Sequence, residues 1–307
     1  MTDPSSARLS GVLCPVITPF NQDLSPDPDR LIRQCQWLLS QNVGLAVFGT
    51  NSEANSLSIE EKMTLLDRLV DAGIDTHRMM PGTGCCALTD TVRLTEHAVK
   101  LGCAGTLMLP PFYYKGVSDD GLFASFAEVI ERVGNSSLRV YLYHIPPVSQ
   151  VGISLALIER LIKAYPDTVA GVKDSSGDWD NTNAMLQRRW DDFRVFAGAE
   201  TFLLRNMRGG GAGCISATAN INPAAIDRLY REWQLPEAET LQKELDEIRD
   251  TAMAYPMIPA LKATVAHFSG DAQWRTVCPP LVALADDQSR ALVEALLQKG
   301  FDMPGLG

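Results

Sequence analysis

Lys173 closes the apolar run Val169-Ala170-Gly171-Val172 and opens directly onto the polar loop Asp174-Ser175-Ser176-Gly177. Thirty positions earlier the layout occurs once before, with Tyr143 closing Val140-Tyr141-Leu142 ahead of His144-Ile145-Pro146. An amine and a phenol at matching points of two successive units suit imine chemistry on a 2-oxo acid. The amine condenses with the ketone, and the phenol moves protons. A lone lysine at a strand end carries little weight, because solvent begins there. The repeated layout is what singles this one out.

Positioning such a pair requires a repeating scaffold, and the chain reads as one. Apolar runs at residues 12–17, 44–48, 79–81, 105–109, 140–143, 169–172, 194–196 and 213–216 alternate with amphipathic segments. Ser58-Ile59-Glu60-Glu61 has the form of a capping box, continued at helical spacing by Leu65, Leu66, Leu69 and Val70. Leu94, His97, Ala98 and Leu101 repeat the stripe and stop at Gly102. Asn222-Pro223 reads as an N-cap followed by proline at the first helical position.

Eight strand-like runs spaced by helices predict an α/β fold, a (β/α)8 TIM barrel. An open doubly wound sheet is the alternative. It would want a phosphate or dinucleotide fingerprint after its first strand, and Ile17-Thr18-Pro19-Phe20 supplies none. After about residue 233 the alternation stops. Leu241, Leu245, Ile248 and Ala252 form one helical stripe, and residues 258–268 and 289–297 read as two more helices. The expected organisation is a barrel domain over residues 1–233 and a C-terminal helical extension over 234–307.

Composition bounds the partners. The 307-residue chain is 46% hydrophobic and 21% charged, ordinary for a globular protein, with a formal net charge of -10. That balance argues against nucleic acid and anionic membrane surfaces. The start, Met1-Thr2-Asp3-Pro4-Ser5-Ser6, lacks the basic start and apolar core of a secretory signal. No apolar run approaches the roughly 18 residues of a membrane span. Seven cysteines, an odd number without a C-x-x-C pair, read as reduced, buried thiols of a cytoplasmic protein. The four histidines show no ligand spacing, so no metal is expected. Asp174, Asp178 and Asp180 read as a solvated loop. Arg208-Gly209-Gly210-Gly211-Ala212-Gly213 precedes its strand, so it reads as a tight helix-to-strand turn rather than a phosphate cradle.

Barrel chemistry sits where strands end. Those positions hold Gly49-Thr50-Asn51-Ser52-Glu53, Pro110-Pro111-Phe112-Tyr113-Tyr114-Lys115-Gly116, Tyr143, Lys173, Gly198-Ala199-Glu200 and Ile215-Ser216-Ala217. Glu53 reads as a structural acid favoured by a helix start. Adjacent to Tyr143, His144 is expected to face the other way, toward the helices. A lysine in a nearly closed mouth loses solvation, which favours its neutral amine.

Three ordered motifs resemble those of the pyruvate-dependent class I aldolases, the group of dihydrodipicolinate synthase and N-acetylneuraminate lyase. Gly49-Thr50-Asn51-Ser52-Glu53 is similar to the family's G-[ST]-[TN]-G-E loop, Tyr143-x-x-Pro146 to its Y-x-x-P, and Gly171-Val172-Lys173-Asp174-Ser175 to its G-[IV]-K-[ED]-[AS]. The resemblance runs from Gly11 to about Phe301. It implies Lys173 as the Schiff-base lysine and Tyr143 as proton shuttle. Thr50 and Tyr114 extend the proton path, Tyr114 reaching in from a neighbouring subunit. Thr50 and Asn51 hold the 2-oxo acid carboxylate, Ile215 packs on the pyruvate methyl, and Ser175 and Gly198 border the substrate. No cofactor beyond the covalent imine is implied. The partners are pyruvate and an aldehyde, in a homo-oligomer, a tetramer built as a dimer of dimers.

Two positions depart from the pattern. Val148 stands where the dihydrodipicolinate enzyme carries an arginine for its second substrate's carboxylate. Ser52 stands where the carboxylate loop usually has glycine. Asn51, Tyr114-Lys115-Gly116 and Lys173-Asp174-Ser175 are closer to 4-hydroxy-2-oxoglutarate aldolases and 2-keto-3-deoxy sugar acid aldolases. The expected function is a Schiff-base lyase that cleaves or forms a carbon–carbon bond beside pyruvate. Alternatives are a 2-keto-3-deoxy sugar acid dehydratase, dihydrodipicolinate synthase without the arginine, and a non-enzymatic 2-oxo acid binding protein.

Overall fold

The structure, a computed structural model, describes residues 8–306. Residues 1–6, on which the signal-peptide expectation rests, lie outside them. The described residues divide into two compact units, 12–74 with 216–306, and 8–11 with 75–215.

The first unit opens with Val12–Cys14 of β1 (Gly11–Cys14), followed by α1 (Pro28–Ser40), β2 (Gly44–Leu45) and α2 (Ile59–Asp71). β1 and β2 are parallel, with Leu13 opposite Gly44 and Cys14 opposite Leu45. Asp27 caps α1 by accepting the Arg30 N–H at 2.9 Å. The box expected at α2 forms: Ser58 Oγ accepts the Glu61 N–H at 3.1 Å, and the Glu61 carboxylate accepts the Ser58 N–H at 2.7 Å. Together these bonds satisfy donors that a helix start would otherwise leave open.

The second unit contains α3 (Leu88–Lys100), β3 (Thr106–Met108), α4 (Asp119–Val133), β4 (Val140–His144), α5 (Pro146–Ser149), α6 (Leu155–Ala164), β5 (Val169–Asp174), α7 (Trp179–Gln187), β6 (Arg194–Ala197), α8 (Leu203–Arg208) and β7 (Gly213–Ile215). Its five strands pair in parallel in sequence order. The expected run at 79–81 is not a strand. It is reduced to a bridge in which Leu107 N donates to Pro81 O at 2.9 Å and Thr83 N to Leu107 O at 3.0 Å. Pro81 has no N–H to extend a ladder. Residues 208–213 form the tight turn expected, closed by Gly209 N to Arg205 O and Gly211 N to Asn206 O.

Alternation along the strands of this unit makes two faces. Val140 and Leu142 of β4, Val172 of β5 and Val195 of β6 join Phe126, Leu157, Leu161 and Met185 in one apolar layer between sheet and helices. Each such buried side chain contributes roughly 1.5–3 kcal/mol. Tyr141, Tyr143, Gly171 and Lys173 face the other way. Tyr141 fills that inner face: its ring stands edge-on to Phe196, and its hydroxyl accepts the Leu9 N–H at 2.7 Å. Gly171 and Gly105 make room for it, since added Cβ atoms would stand 2.8 and 2.5 Å from the Tyr141 ring.

The chain then returns to the first unit with α9 (Pro223–Glu232), α10 (Ala238–Met253), α11 (Met257–Ser269) and α12 (Asp286–Gln298). These match the expected C-terminal helices, with Leu241, Leu245 and Ala252 buried on α10. Pro223 opens α9, but the Asn222 side chain makes no capping bond, a departure from the expected N-cap. All seven cysteines are free thiols; five are buried, whereas Cys86 is exposed and Cys85 half-buried, contrary to a uniformly buried set. Among the described residues no helix is long and apolar enough to cross a membrane.

Candidate active site

In the second unit β4 and β5 run parallel with Tyr143 directly opposite Lys173. Both side chains emerge on the inner face and are almost fully buried, each 2% exposed. Lys173 Nζ lies 3.3 Å from Tyr143 Oη and 4.3 Å from the centre of its ring. The expected amine–phenol pair is therefore assembled within hydrogen-bond reach. Two residues earlier on the same face, Tyr141 fills space against Phe196, Gly105 and Gly171.

The outward-facing neighbours of the pair are also fixed. His144 faces the helix layer as expected, and its Nδ1 accepts the Ile153 N–H at 2.9 Å. Asp174 overturns the solvated-loop expectation. It is buried, and its carboxylate accepts Thr182 Oγ1 at 2.6 Å, Ser176 N at 2.9 Å and Asn181 Nδ2 at 3.0 Å. As the last residue of β5 it ties the strand end to α7. Asp178, by contrast, caps α7 through the Asp180 N–H at 2.9 Å. Burial lowers the pKa of His144, an effect partly offset by the charge of Asp174.

Ser175 follows at the mouth of β5, where its N–H donates to His144 O at 2.7 Å. Gly198 lies directly against it: a Cβ there would stand 2.1 Å from Ser175 Oγ and 2.5 Å from Asp174 O. Only glycine permits that approach. Ile215 ends β7 and is buried. Tyr113 and Tyr114 are 75% and 73% exposed and meet edge-to-face, their centroids 5.4 Å apart. Their loop is tied to α5 by Lys115 Nζ, which donates to Phe112 O and, at 2.7 Å, to Ser149 O. Val148, on α5, is 61% exposed.

Thr50 and Asn51 belong to the first unit, on the 3-10 turn Thr50–Ser52. Ser52 closes this turn rather than loosening it. Its Oγ accepts the Gly49 N–H at 3.1 Å, and its carbonyl accepts Thr18 Oγ1 at 2.6 Å. The next residue, Glu53, is structural as expected, but not by capping: it precedes the 3-10 turn Ala54–Ser56 and its side chain makes no capping bond there. It has left-handed backbone, φ 54°, and its buried carboxylate pairs with Lys262 of α11 and accepts the Cys278 N–H at 2.8 Å. The Lys262 ammonium also donates to Thr276 O at 2.7 Å and lies 4.5 Å from the Phe20 ring centre. Lys262 went unnoticed in the sequence. A single lysine inside Ile258-Pro259-Ala260-Leu261-Lys262-Ala263-Thr264-Val265 was the available signal, because a buried lysine requires an acid.

Comparison with known proteins identifies the family. The pattern of the dihydrodipicolinate synthetase family matches residues 8–299. A relative described as an uncharacterized DapA-like lyase, from Chloroflexus aurantiacus, is 31% identical over 93% of this chain and 95% of its own length. A 4-hydroxy-tetrahydrodipicolinate synthase from Methanococcoides burtonii is 33% identical over 82% of each chain. The crystal structure of dihydrodipicolinate synthase from Agrobacterium tumefaciens superposes with a TM-score of 0.87 at 32% identity, covering 94% of this chain and 98% of that one. The fold is the (β/α)8 barrel with a C-terminal helical part. The chain thus belongs to the dihydrodipicolinate synthetase family and is a class I, pyruvate-dependent carbon–carbon lyase.

Proposed function

We propose that the protein is an aldolase that joins pyruvate to an aldehyde, or releases the two, through an imine on Lys173. The observation that carries this reading is the buried Lys173 Nζ held 3.3 Å from Tyr143 Oη. The amine adds to the C2 ketone of a 4-hydroxy-2-oxo acid, and loss of water leaves an iminium. Tyr143, left as phenolate after giving its proton to the departing water, takes the proton from the C4 hydroxyl. The C3–C4 bond breaks, its electrons pass into the iminium, and an aldehyde leaves. Protonation of the enamine at C3 and hydrolysis release pyruvate and the free amine. With pyruvate alone, the same oxygen, as the phenolate left by iminium formation, receives the C3 proton as iminium becomes enamine.

The remaining roles rest on the family resemblance: Thr50 and Asn51 for the carboxylate, Ile215 for the methyl end, Ser175 and Gly198 at the border. Tyr114 would act from a second subunit, and the exposure of Tyr113 and Tyr114 supports that placement. A homotetramer in the cytoplasm, with residues 1–233 as catalytic barrel and 234–307 as helical extension, completes the proposal. Val148 favours a partner aldehyde such as glyoxylate or a sugar-derived aldehyde over one carrying an amino acid carboxylate, since it offers that group no cation.

Borohydride reduction in the presence of pyruvate tests the reading. One reduced pyruvate is expected on the peptide containing Lys173, and none in Lys173→Ala. Absence of any adduct in the wild type would return the chain to the binding-protein alternative. Water loss from a sugar acid without release of an aldehyde would make it a dehydratase.

A further inference from the structure

We propose that His144 is a positioning residue for the reaction: by accepting the Ile153 N–H, its Nδ1 fixes the end of β4 and so holds the Tyr143 phenol opposite Lys173. The proposal rests on the reading of Lys173 and Tyr143 as the imine-forming amine and its proton carrier.

The geometry makes His144 the anchor of that strand end. Its carbonyl accepts the Ser175 N–H at 2.7 Å, which binds it to the exit of β5. Its side chain binds it to Ile153 at 2.9 Å, on the segment leading into α6. Between these two attachments the chain turns through Ile145 and the pair Pro146-Pro147, which have no N–H to donate. Ser149 Oγ closes the small loop, donating to Ile145 O at 3.0 Å and accepting the Val151 N–H at 3.2 Å. Residues 145–153 thus fold back onto the imidazole. Tyr143 and His144 are consecutive on one strand, so a rotation that released the imidazole would swing the phenol on the other face. A bond of 3.3 Å between Lys173 and Tyr143 leaves little tolerance for such a swing.

An apolar residue would fill this position against the helix-side layer equally well. Only an acceptor at the Nδ1 position satisfies the buried Ile153 N–H, and neutral imidazole supplies one with its proton on Nε2. The Oδ1 of asparagine stands at the same distance along the side chain. His144→Asn therefore keeps the function, while His144→Leu keeps the bulk and loses it.

The test uses the full-length chain with pyruvate as the probe. Deuterium uptake into the pyruvate methyl reports turnover, and borohydride reduction reports the imine. His144→Leu is expected to form the Lys173 adduct yet lower kcat for exchange ~10-fold or more, with KM within ~3-fold, as for an interaction realised only in the reaction step. His144→Asn is expected to recover most of the rate. In a Tyr143→Phe background, His144→Leu should cost less than ~2-fold more, because the two residues act as one unit. Should the leucine variant not fold, His144→Ala replaces it, with rate recovery by added imidazole as the expected result. Equal losses in the leucine and asparagine variants, or a leucine penalty that multiplies with Tyr143→Phe, would overturn the proposal. A wild type that forms no adduct would overturn the reading beneath it instead.

Discussion

Replacing Glu53 by glutamine isolates the cost of an unmatched buried charge. Glu53 and Lys262 have fully buried side chains, and the carboxylate is the only acid paired with that ammonium among the described residues. Glutamine preserves volume and can still accept the Cys278 N–H, so the change removes charge alone. Burial lowers the pKa of Lys262 and the charge of Glu53 raises it. Without Glu53 the lysine must either stay charged and unpaired or give up its proton. Breaking one side of such a pair costs about 3–5 kcal/mol. For 307 residues, at about 2.1 cal/mol/K each, the entropy of unfolding is about 0.64 kcal/mol/K, so melting should fall by about 5–8 °C. The sign of the pH effect follows from linkage. The unfolded lysine holds its proton to near 10.5, while the folded one releases it earlier, so the deficit of Glu53→Gln shrinks as pH rises toward that value. The double variant Glu53→Gln/Lys262→Met should melt above Glu53→Gln, since no charge is then stranded. Thermal unfolding of wild type, both single variants and the double variant reads all four corners. A Glu53→Gln shift below about 1.5 °C, or a double variant as unstable as the sum of the singles, would refute the ion pair as a structural tie.

Tyr143→Phe should still trap pyruvate on Lys173 but slow turnover ~10²-fold or more, and unchanged turnover would remove the phenol from the mechanism. Gly198→Ala forces a methyl to within 2.1 Å of Ser175 Oγ; melting should drop by about 1–3 kcal/mol equivalent, and an alanine variant as stable as wild type would show that Ser175 moves freely. The pKa of His144 is lowered from 6.5, so the unfolded chain takes up its proton first as pH falls; this stability is full above 6.5 and is lost as pH drops through the folded value. His144→Asn should abolish that acid limb, read as melting temperature between about pH 7.5 and about pH 5, and an unaltered limb would assign it to other groups.

What could be seen in advance was whatever a strand or helix records within its own length. The alternation of Val140-Tyr141-Leu142-Tyr143-His144 puts the phenol on one face and the imidazole on the other, whatever lies alongside. The match in register between Tyr143 and Lys173 needed only two strands of similar length followed by similar loops. The misreadings have the opposite character. Glu53 was assigned by its immediate neighbours, although its partner lies on a helix of the C-terminal region, and its αL backbone is visible only once the turn is built. Asp174 looked like one of three loop acids because the carboxylate's three donors, Ser176, Asn181 and Thr182, sit in the loop and helix that follow. Those donors convert an expected surface charge into a buried clamp. Tyr141 was hidden for a related reason: the space it fills is defined by one glycine on β5 and another just ahead of β3. A glycine inside an apolar run marks a close approach by something else. Read with that rule, Gly171 announces a large neighbour two positions before the lysine. On that face Tyr143 and Phe196 stand opposite Lys173 in register, one on each neighbouring strand, and Tyr141 meets Phe196 edge-on. Substitution at Gly171 should therefore disturb chemistry as well as packing: a Cβ there would press on the Tyr141 ring at 2.8 Å, and Gly171 and Tyr141 each stand two residues before a member of the pair on its own strand.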